Sequence, residues 1–254
     1  MKFIAIIPAR YASTRFPGKP LAMLGDMTVI QRVYHQVSKA LDNVLVATDD
    51  QRIFDHVNGF GGKAVMTSTN HRSGTDRCWE AYQNNSGNED IIINVQGDEP
   101  FIQPSQIEAL MKCFDDPSTH IATLVKPVDK DSDFALLENP NKVKVVFDNN
   151  NNALYFSRSV IPYLRGIDKE LWTSRHQFYT HLGMYAYRAS VLEQITQLPQ
   201  SQLEIAESLE QLRWLENGKK IKVGITGHSS IGIDTPQDLE QAQEFLLKNS
   251  TLWQ

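Results

Sequence analysis

Apolar residues along this chain follow two rhythms, and their alternation predicts the fold. Phe3-Ile4-Ala5-Ile6-Ile7 is an unbroken apolar run of strand length, the pattern of a strand buried on both faces. Val44-Leu45-Val46-Ala47 repeats it, Ala64-Val65-Met66 does so in shorter form, and Ile91-Ile92-Ile93-Asn94-Val95 makes a fourth. Between these runs the spacing is that of amphipathic helices, over 29–40, 51–57 and 77–84. Strand and helix in alternation predict a parallel sheet with right-handed crossovers. From about Thr119 the rhythm changes. Residues 119–128, 143–148, 153–157 and 181–188 are strand-like with few helices between, which predicts antiparallel additions. Asn149-Asn150-Asn151-Asn152 predicts a tight hairpin turn, because asparagine tolerates left-handed backbone geometry. Helix is predicted again over 203–217, with Leu203, Leu209, Leu212 and Leu215 facing inward and Gly218 as the C-cap, and once more from Pro236. No repeat, low-complexity tract or linker interrupts the pattern. The expectation is one domain over 1–254, with an antiparallel extension at about 119–190.

Composition narrows the class. A chain of 254 residues suits one α/β domain with a large core. Its net charge of -5 argues against nucleic acid as the main partner. Cys78 and Cys113 lie far apart without metal-type spacing, so they read as reduced core thiols. The apolar run at the start is too short for a signal peptide and no cleavage-like site follows it. No stretch approaches the roughly 20 apolar residues of a membrane span. A soluble, cytoplasmic chain is expected.

The chemistry begins where the first strand ends. Pro8-Ala9-Arg10-Tyr11-Ala12-Ser13-Thr14-Arg15-Phe16-Pro17-Gly18-Lys19-Pro20 carries three cations, two aliphatic hydroxyls and a glycine, stiffened by prolines. Beyond the carboxyl end of a buried strand, Arg10, Arg15 and Lys19 can meet one polyanion, where open α/β sheets bind ligands. This reads as a triphosphate site. It is not a Walker loop, since no glycine opens it and Pro20 stands where Ser or Thr is required. Nor is it the dinucleotide fingerprint, because the loop has one glycine. A solvated cationic surface loop is the plain alternative.

Three further segments carry candidate groups. Asn94-Val95-Gln96-Gly97-Asp98-Glu99-Pro100-Phe101 starts where the fourth strand ends, which puts Asp98 beside the basic loop. A carboxylate next to phosphates suits Mg²⁺, a cation of oxygen ligands. Gly97 permits a sharp turn there, and Pro100 is expected to keep the segment extended at Glu99. An ordinary acidic turn is the alternative. In Ser230-Ile231-Gly232-Ile233-Asp234-Thr235-Pro236-Gln237-Asp238-Leu239, Thr235 reads as an N-cap and Pro236 as the first helical residue. Asp234 then lies at a helix entry, either as a second metal carboxylate or as part of the turn. His71-Arg72-Ser73-Gly74-Thr75-Asp76-Arg77 can read a base edge while Arg77 balances phosphate charge, or it can simply cap a helix.

The order PARYASTRFPGKP, VATDD, HRSGTDR, NVQGDEPF, VKVVFD, ALYFSR, HLGMYAYR, LEQLR and GIDTPQDL resembles the 3-deoxy-manno-octulosonate cytidylyltransferases, the CMP-Kdo synthetases, within the sugar-acid cytidylyltransferase family. The resemblance runs from the first strand to the last helix, and it is weakest over Arg165–Phe178. It implies a nucleotide-diphospho-sugar transferase-type, Rossmann-like α/β fold, with a mostly parallel sheet and an antiparallel extension that contributes to dimerisation and the sugar pocket. It implies transfer of CMP from CTP to the anomeric hydroxyl of Kdo, with Mg²⁺ and a homodimer. Carried over by motif, Arg10 and Lys19 would hold the CTP phosphates with Arg15 as a helper, and Arg10 and Lys19 would act in catalysis with Asp98 and Asp234, the Mg²⁺ ligands. Ser73, Gly74, Arg77 and Gln96 would lie around the nucleotide. Gln96, Arg158, His181, Tyr185, Glu210 and Gln211 would line the sugar-acid pocket. Without the resemblance, His181 and Tyr185 read as core polar groups on one face of a strand. Two other readings stay open: a cytidylyltransferase for another acidic sugar, of neuraminate or amino-Kdo type, and a non-catalytic nucleotide-binding regulator.

Overall fold

The computed structural model describes residues 1–229 and 231–249. Ser230, the first residue of the motif around Asp234, lies outside the described residues. The elements follow in chain order: β1 (Phe3–Ala9), β2 (Met23–Leu24), β3 (Met27–Thr28), α1 (Val29–Ser38), β4 (Val44–Thr48), α2 (Gln51–Gly59), β5 (Ala64–Met66), α3 (Gly74–Asn84), β6 (Ile91–Asn94) and α4 (Pro104–Lys112). Then come β7 (Ile121–Pro127), α5 (Ala135–Glu138), β8 (Lys144–Phe147), β9 (Ala153–Ser157), α6 (Trp172–Arg175), β10 (Tyr179–Arg188), α7 (Ala189–Thr196), α8 (Gln202–Glu207), α9 (Glu210–Glu216), β11 (Ile221–Ile225) and α10 (Pro236–Lys248). The chain forms two compact units: Met1–Glu108 with Arg188–Thr196 and 231–249, and Ala109–Tyr187 with Gln197–Ser229.

In the first unit the four predicted apolar runs pair in the order β6-β1-β4-β5. All the pairings are parallel, with Ile4 beside Ile92, Ile6 beside Leu45 and Ala47 beside Val65. The runs lack polar alternation because β4 and β6 are buried along their whole length. Helices start where a short polar side chain accepts from the first turn: Thr28 for α1, Asp50 for α2 and Ser73 for α3. The last helix is fastened by a cluster of Leu24, Val29, Phe101, Ile233 and Ala242, with the Phe245 ring edge-on to Phe101 at 4.8 Å. Fully burying side chains such as Leu24 and Ile233 stabilises by about 2 kcal/mol each, enough to fix the entry of α10.

The second unit carries the antiparallel strands. β7 has β11 parallel on one side and β10 antiparallel on the other, while β8 pairs with β10 and forms a hairpin with β9. The asparagine run makes the hairpin turn, with Asn151 in the left-handed region at φ 58°. Lys144 is fully buried and donates to the carbonyls of Asn139, Lys142 and Arg158 at 3.1, 2.7 and 2.6 Å. Burial pushes the pKa of its ammonium down.

Several expectations are corrected. The helix expected over 203–217 is two, because Ser208 adopts φ 51°. Arg158 takes the carbonyls of Glu207 and Ser208, which a continuous helix would give to residues 211 and 212. Leu203 is 37% exposed rather than packed inward. Gly218 does cap the second helix, through Gly218 N–H to Leu215 O and Lys219 N–H to Trp214 O, both 3.0 Å. After β6 the chain makes the sharp turn that Gly97 permits, closed by Glu99 N–H to Gln96 O at 3.3 Å. The small β2–β3 ladder, α4, α7 and β11 lie outside the elements predicted from the sequence. In β11, Gly224 stands where a Cβ would meet Leu124 at 2.9 Å, so close packing replaces the branched residue a strand would normally show. Among the described residues no helix is long and apolar enough to cross a membrane.

Candidate active site

A cavity of about 260 Å³ opens in the first unit at the carboxyl ends of β1 and β6. Four stretches distant in sequence line it: the basic loop, the His71–Gly74 turn with Arg77, the Gln96-Gly97-Asp98 turn, and Asp234. Arg10, Arg15, Lys19, Arg72 and Arg77 give it five permanent cations against the carboxylates of Asp98 and Asp234. The balance favours a polyanion.

Lys19 is the hub. Gly18 at φ 74° turns the loop into a short 3-10 helix beginning at Lys19. The Lys19 Nζ then lies 2.6 Å from Asp98 Oδ2 and 3.2 Å from Asp234 Oδ1. Arg15 reaches the same Asp234 oxygen at 3.1 Å. Asp98 is aimed by its turn, in which Gly97 passes so near the first strand that a Cβ would stand 2.7 Å from Pro8 O. Asp234 is aimed by α10: Ile233 N–H donates to Asp98 O at 2.9 Å, and Asp234 N–H donates to the capping carboxylate of Asp238 at 3.0 Å. Two carboxylates on separate loops thus converge on one cation. Among the described residues no cluster of three or more metal-type side chains occurs. A two-carboxylate set is the donor chemistry of Mg²⁺, which keeps waters and takes substrate phosphate oxygens.

At the α3 entry, Ser73 Oγ accepts from Asp76 N–H at 3.1 Å, so the capping reading holds for this residue while Ser73 and Gly74 also face the cavity. Arg77 is buried and committed, with Nη2 on Asp49 Oδ2 at 2.7 Å and Nη1 on Thr67 Oγ1 at 2.6 Å. Asp49 offsets its charge. Gln96 lines the cavity beside Asp98. Ser13, His71 and Arg72 line it too, and the sequence reading gave them no role. His71 is held by Glu80, which also accepts from Ser68 N–H at 2.9 Å. The signal available for His71 and Arg72 was their place in the HRSGTDR motif.

Arg158, His181, Tyr185, Glu210 and Gln211 belong to the second unit. His181 Nε2 and Thr123 Oγ1 are 2.8 Å apart, and the same hydroxyl donates to Met184 O at 2.8 Å. The imidazole is therefore the donor, with its proton on Nε2. Burial pushes its pKa down to about 3, so the ring is neutral. Tyr185 lies 5.3 Å from His181 and 5.1 Å from Trp214 between ring centroids. Burial, with the Glu210 carboxylate, holds its phenol well above the ordinary value. Glu210 accepts from Arg213 Nη2 at 2.6 Å. Gln211 Nε2 and Trp214 Nε1 are buried donors that find no acceptor among the described residues. Arg158 spans three carbonyls, with Nε on Glu207 O at 2.6 Å, Nη1 on Pro140 O at 2.9 Å and Nη2 on Ser208 O at 3.3 Å.

The parallel sheet and the cation-lined cavity at its carboxyl edge are those of a Rossmann-like nucleotidyltransferase. The cytidylyltransferase family matches residues 4–221. A 3-deoxy-manno-octulosonate cytidylyltransferase of Bacteroides thetaiotaomicron is 65% identical over 250 residues, 98% of this chain and 100% of the relative. The chain belongs to the 3-deoxy-manno-octulosonate cytidylyltransferase family. A solved CMP:2-keto-3-deoxy-manno-octonic acid synthetase complexed with CTP superposes with a TM-score of 0.89 at 41% identity, over 98% of this chain and 99% of that one. A glucose-1-phosphate thymidylyltransferase structure from Bacillus anthracis, described as putative, shares the fold with a TM-score of 0.63 at 16% identity, over 96% and 94% of the two chains.

Proposed function

We propose that this chain transfers CMP from CTP to the anomeric hydroxyl of 3-deoxy-D-manno-octulosonate, releasing pyrophosphate and giving CMP-Kdo, the activated sugar for lipopolysaccharide synthesis. The observation that carries the reading is the convergence of Arg10, Arg15, Lys19, Asp98 and Asp234 in one cavity of a chain with near-full-length relatives of that name. The chemistry has two obstacles. Both substrates are anionic, and a sugar hydroxyl is a poor nucleophile toward a charged α-phosphate. Arg10 and Lys19 would bind the phosphates and stabilise the departing pyrophosphate, with Arg15 assisting. Ser73 and Gly74, at the amino end of α3, would face the nucleotide with Arg77 and Gln96. Asp98 and Asp234 would hold Mg²⁺. When bound, that ion neutralises phosphate charge and lowers the pKa of a coordinated hydroxyl.

Sugar-acid recognition falls, within the second unit, to Arg158, His181, Tyr185, Glu210 and Gln211. The unmatched Gln211 amide donor supports this, since a buried donor without an acceptor suits a ligand oxygen. Arg158 would give the Kdo carboxylate the nitrogen it now spends on Ser208 O, its longest contact at 3.3 Å. Direct in-line attack needs no covalent enzyme intermediate. The same reading takes the protein as a cytoplasmic homodimer. Exposed apolar side chains in the second unit at Leu154, Tyr163 and Leu171 support a partner surface.

The test is pyrophosphate release with CTP and Mg²⁺, comparing Kdo, N-acetylneuraminate and no sugar, each repeated with chelator. Release with Kdo alone, abolished by chelator, is expected. Release with another acid instead would overturn the pocket assignment. Silence with all acids in folded protein would leave a nucleotide-binding regulator.

A further inference from the structure

Between the end of β1 at Ala9 and the 3-10 turn at Lys19, residues 10–18 form neither strand nor helix. Arg10, Arg15 and Lys19 lie in or at the end of this stretch, so its shape decides where three cavity cations point. Gly18 N–H donates to Tyr11 O at 2.9 Å, tying the loop's ends together. The phenol end of Tyr11 lies against Gly18 itself, where a Cβ would come within 3.0 Å of the Tyr11 Cζ and Oη. Over the Tyr11 ring sits Arg52 from the first turn of α2, its guanidinium carbon 3.4 Å from the ring centroid. Arg52 is oriented in turn by a two-pronged contact with Asp50, Nε to Oδ1 at 2.9 Å and Nη2 to Oδ2 at 2.7 Å. Neither Tyr11 nor Arg52 lines the cavity.

We propose that Arg52 and Tyr11 form a latch that fixes the basic loop, and that both are positioning residues for Arg10, Arg15 and Lys19 in triphosphate binding. The proposal rests on the nucleotidyl-transfer reading. The Arg52 side chain is 60% exposed, and an exposed ion pair adds little to the fold as a whole. Its leverage is local. A guanidinium over an aromatic face is an attractive contact, and here it joins a helix held by its cap to a loop with no ladder of its own. If opening the latch leaves the loop in its binding shape a tenth of the time, apparent CTP affinity falls about tenfold, while turnover of the bound complex is nearly kept.

The experiment uses the full chain with Arg52→Ala, Arg52→Lys, Tyr11→Leu, Tyr11→Phe and the Arg52→Ala/Tyr11→Leu double variant. Calorimetric Kd for CTP, kcat, and the rate of brief tryptic cleavage after Arg10 and Arg15 without nucleotide are measured. Arg52→Ala and Tyr11→Leu are expected to weaken CTP about tenfold, leave kcat within about twofold, and speed loop cleavage. Arg52→Lys and Tyr11→Phe, which keep a cation and a ring, stay near the parent. The double variant is no worse than Tyr11→Leu alone, because once the ring is gone Arg52 has no latch contact left to lose. Unchanged cleavage in both loosened variants overturns the latch. Faster cleavage with unchanged Kd overturns its positioning role, as does a double variant whose losses add. A parent that binds CTP but releases no pyrophosphate with any sugar acid overturns the functional reading and leaves the latch to be decided by Kd and cleavage. A parent that binds no CTP overturns both.

Discussion

Asp98 and Asp234 are ordinary half-exposed carboxylates until their neighbours are counted. Lys19 Nζ touches both, across 79 and 215 residues of sequence. An ammonium between two carboxylates marks a spot where the protein has built negative potential against a cation-rich wall. Replacing Asp98 by asparagine keeps size and removes charge. Turnover of the Asp98→Asn variant is expected to fall on the order of 10²-fold or more, the range of lost charge stabilisation at a reacting centre. Pyrophosphate release at saturating CTP and Kdo checks it, and a variant within a few-fold of the parent removes Asp98 from the chemistry. The residue type and its place after an apolar strand were legible. Its partner was not, because an ion pair between loops leaves no periodicity in either.

Elements were legible where the local signal agreed with the tertiary one. Thr235 was read as a cap from the Thr-Pro pair, and it closes a capping box with Asp238, whose N–H donates to Thr235 Oγ1 at 3.2 Å. Thr235→Ala is expected to cost about 1 kcal/mol, read as a lower denaturant midpoint, with Thr235→Ser restoring most of it. Because Asp234 precedes this cap, the alanine variant should also weaken activity more than its stability loss explains. The break at Ser208 shows the opposite case. Residues 203–217 carry a helical period throughout, and only Arg158, from the end of β9, diverts the carbonyls that would have continued it. A guanidinium arriving from 50 residues away cannot be read from a helical wheel.

Acid stability belongs to the molecule as a whole, and His181 sets one part of it. Its ring titrates near 6.5 in an unfolded chain and at about 3 in the fold, where burial keeps it neutral. Between those values the unfolded state binds a proton that the folded state does not, so stability drops as pH falls through that window. A His181→Gln variant should show a shallower loss of urea midpoint from pH 7 to pH 5 than the parent. Equal slopes would mean that the ring is already solvated in the fold. By itself the sequence determined the parallel sheet, the helix caps, the asparagine turn and the basic loop, because strand burial, capping and turn chemistry act over a few residues. Tertiary structure alone decided that Lys19 meets Asp98 and Asp234, that Asp49 offsets Arg77, that Thr123 fixes the His181 proton, and that Tyr11 lies under Arg52. Those contacts join segments tens to hundreds of residues apart, and only the packing of the intervening chain brings them within a few ångströms.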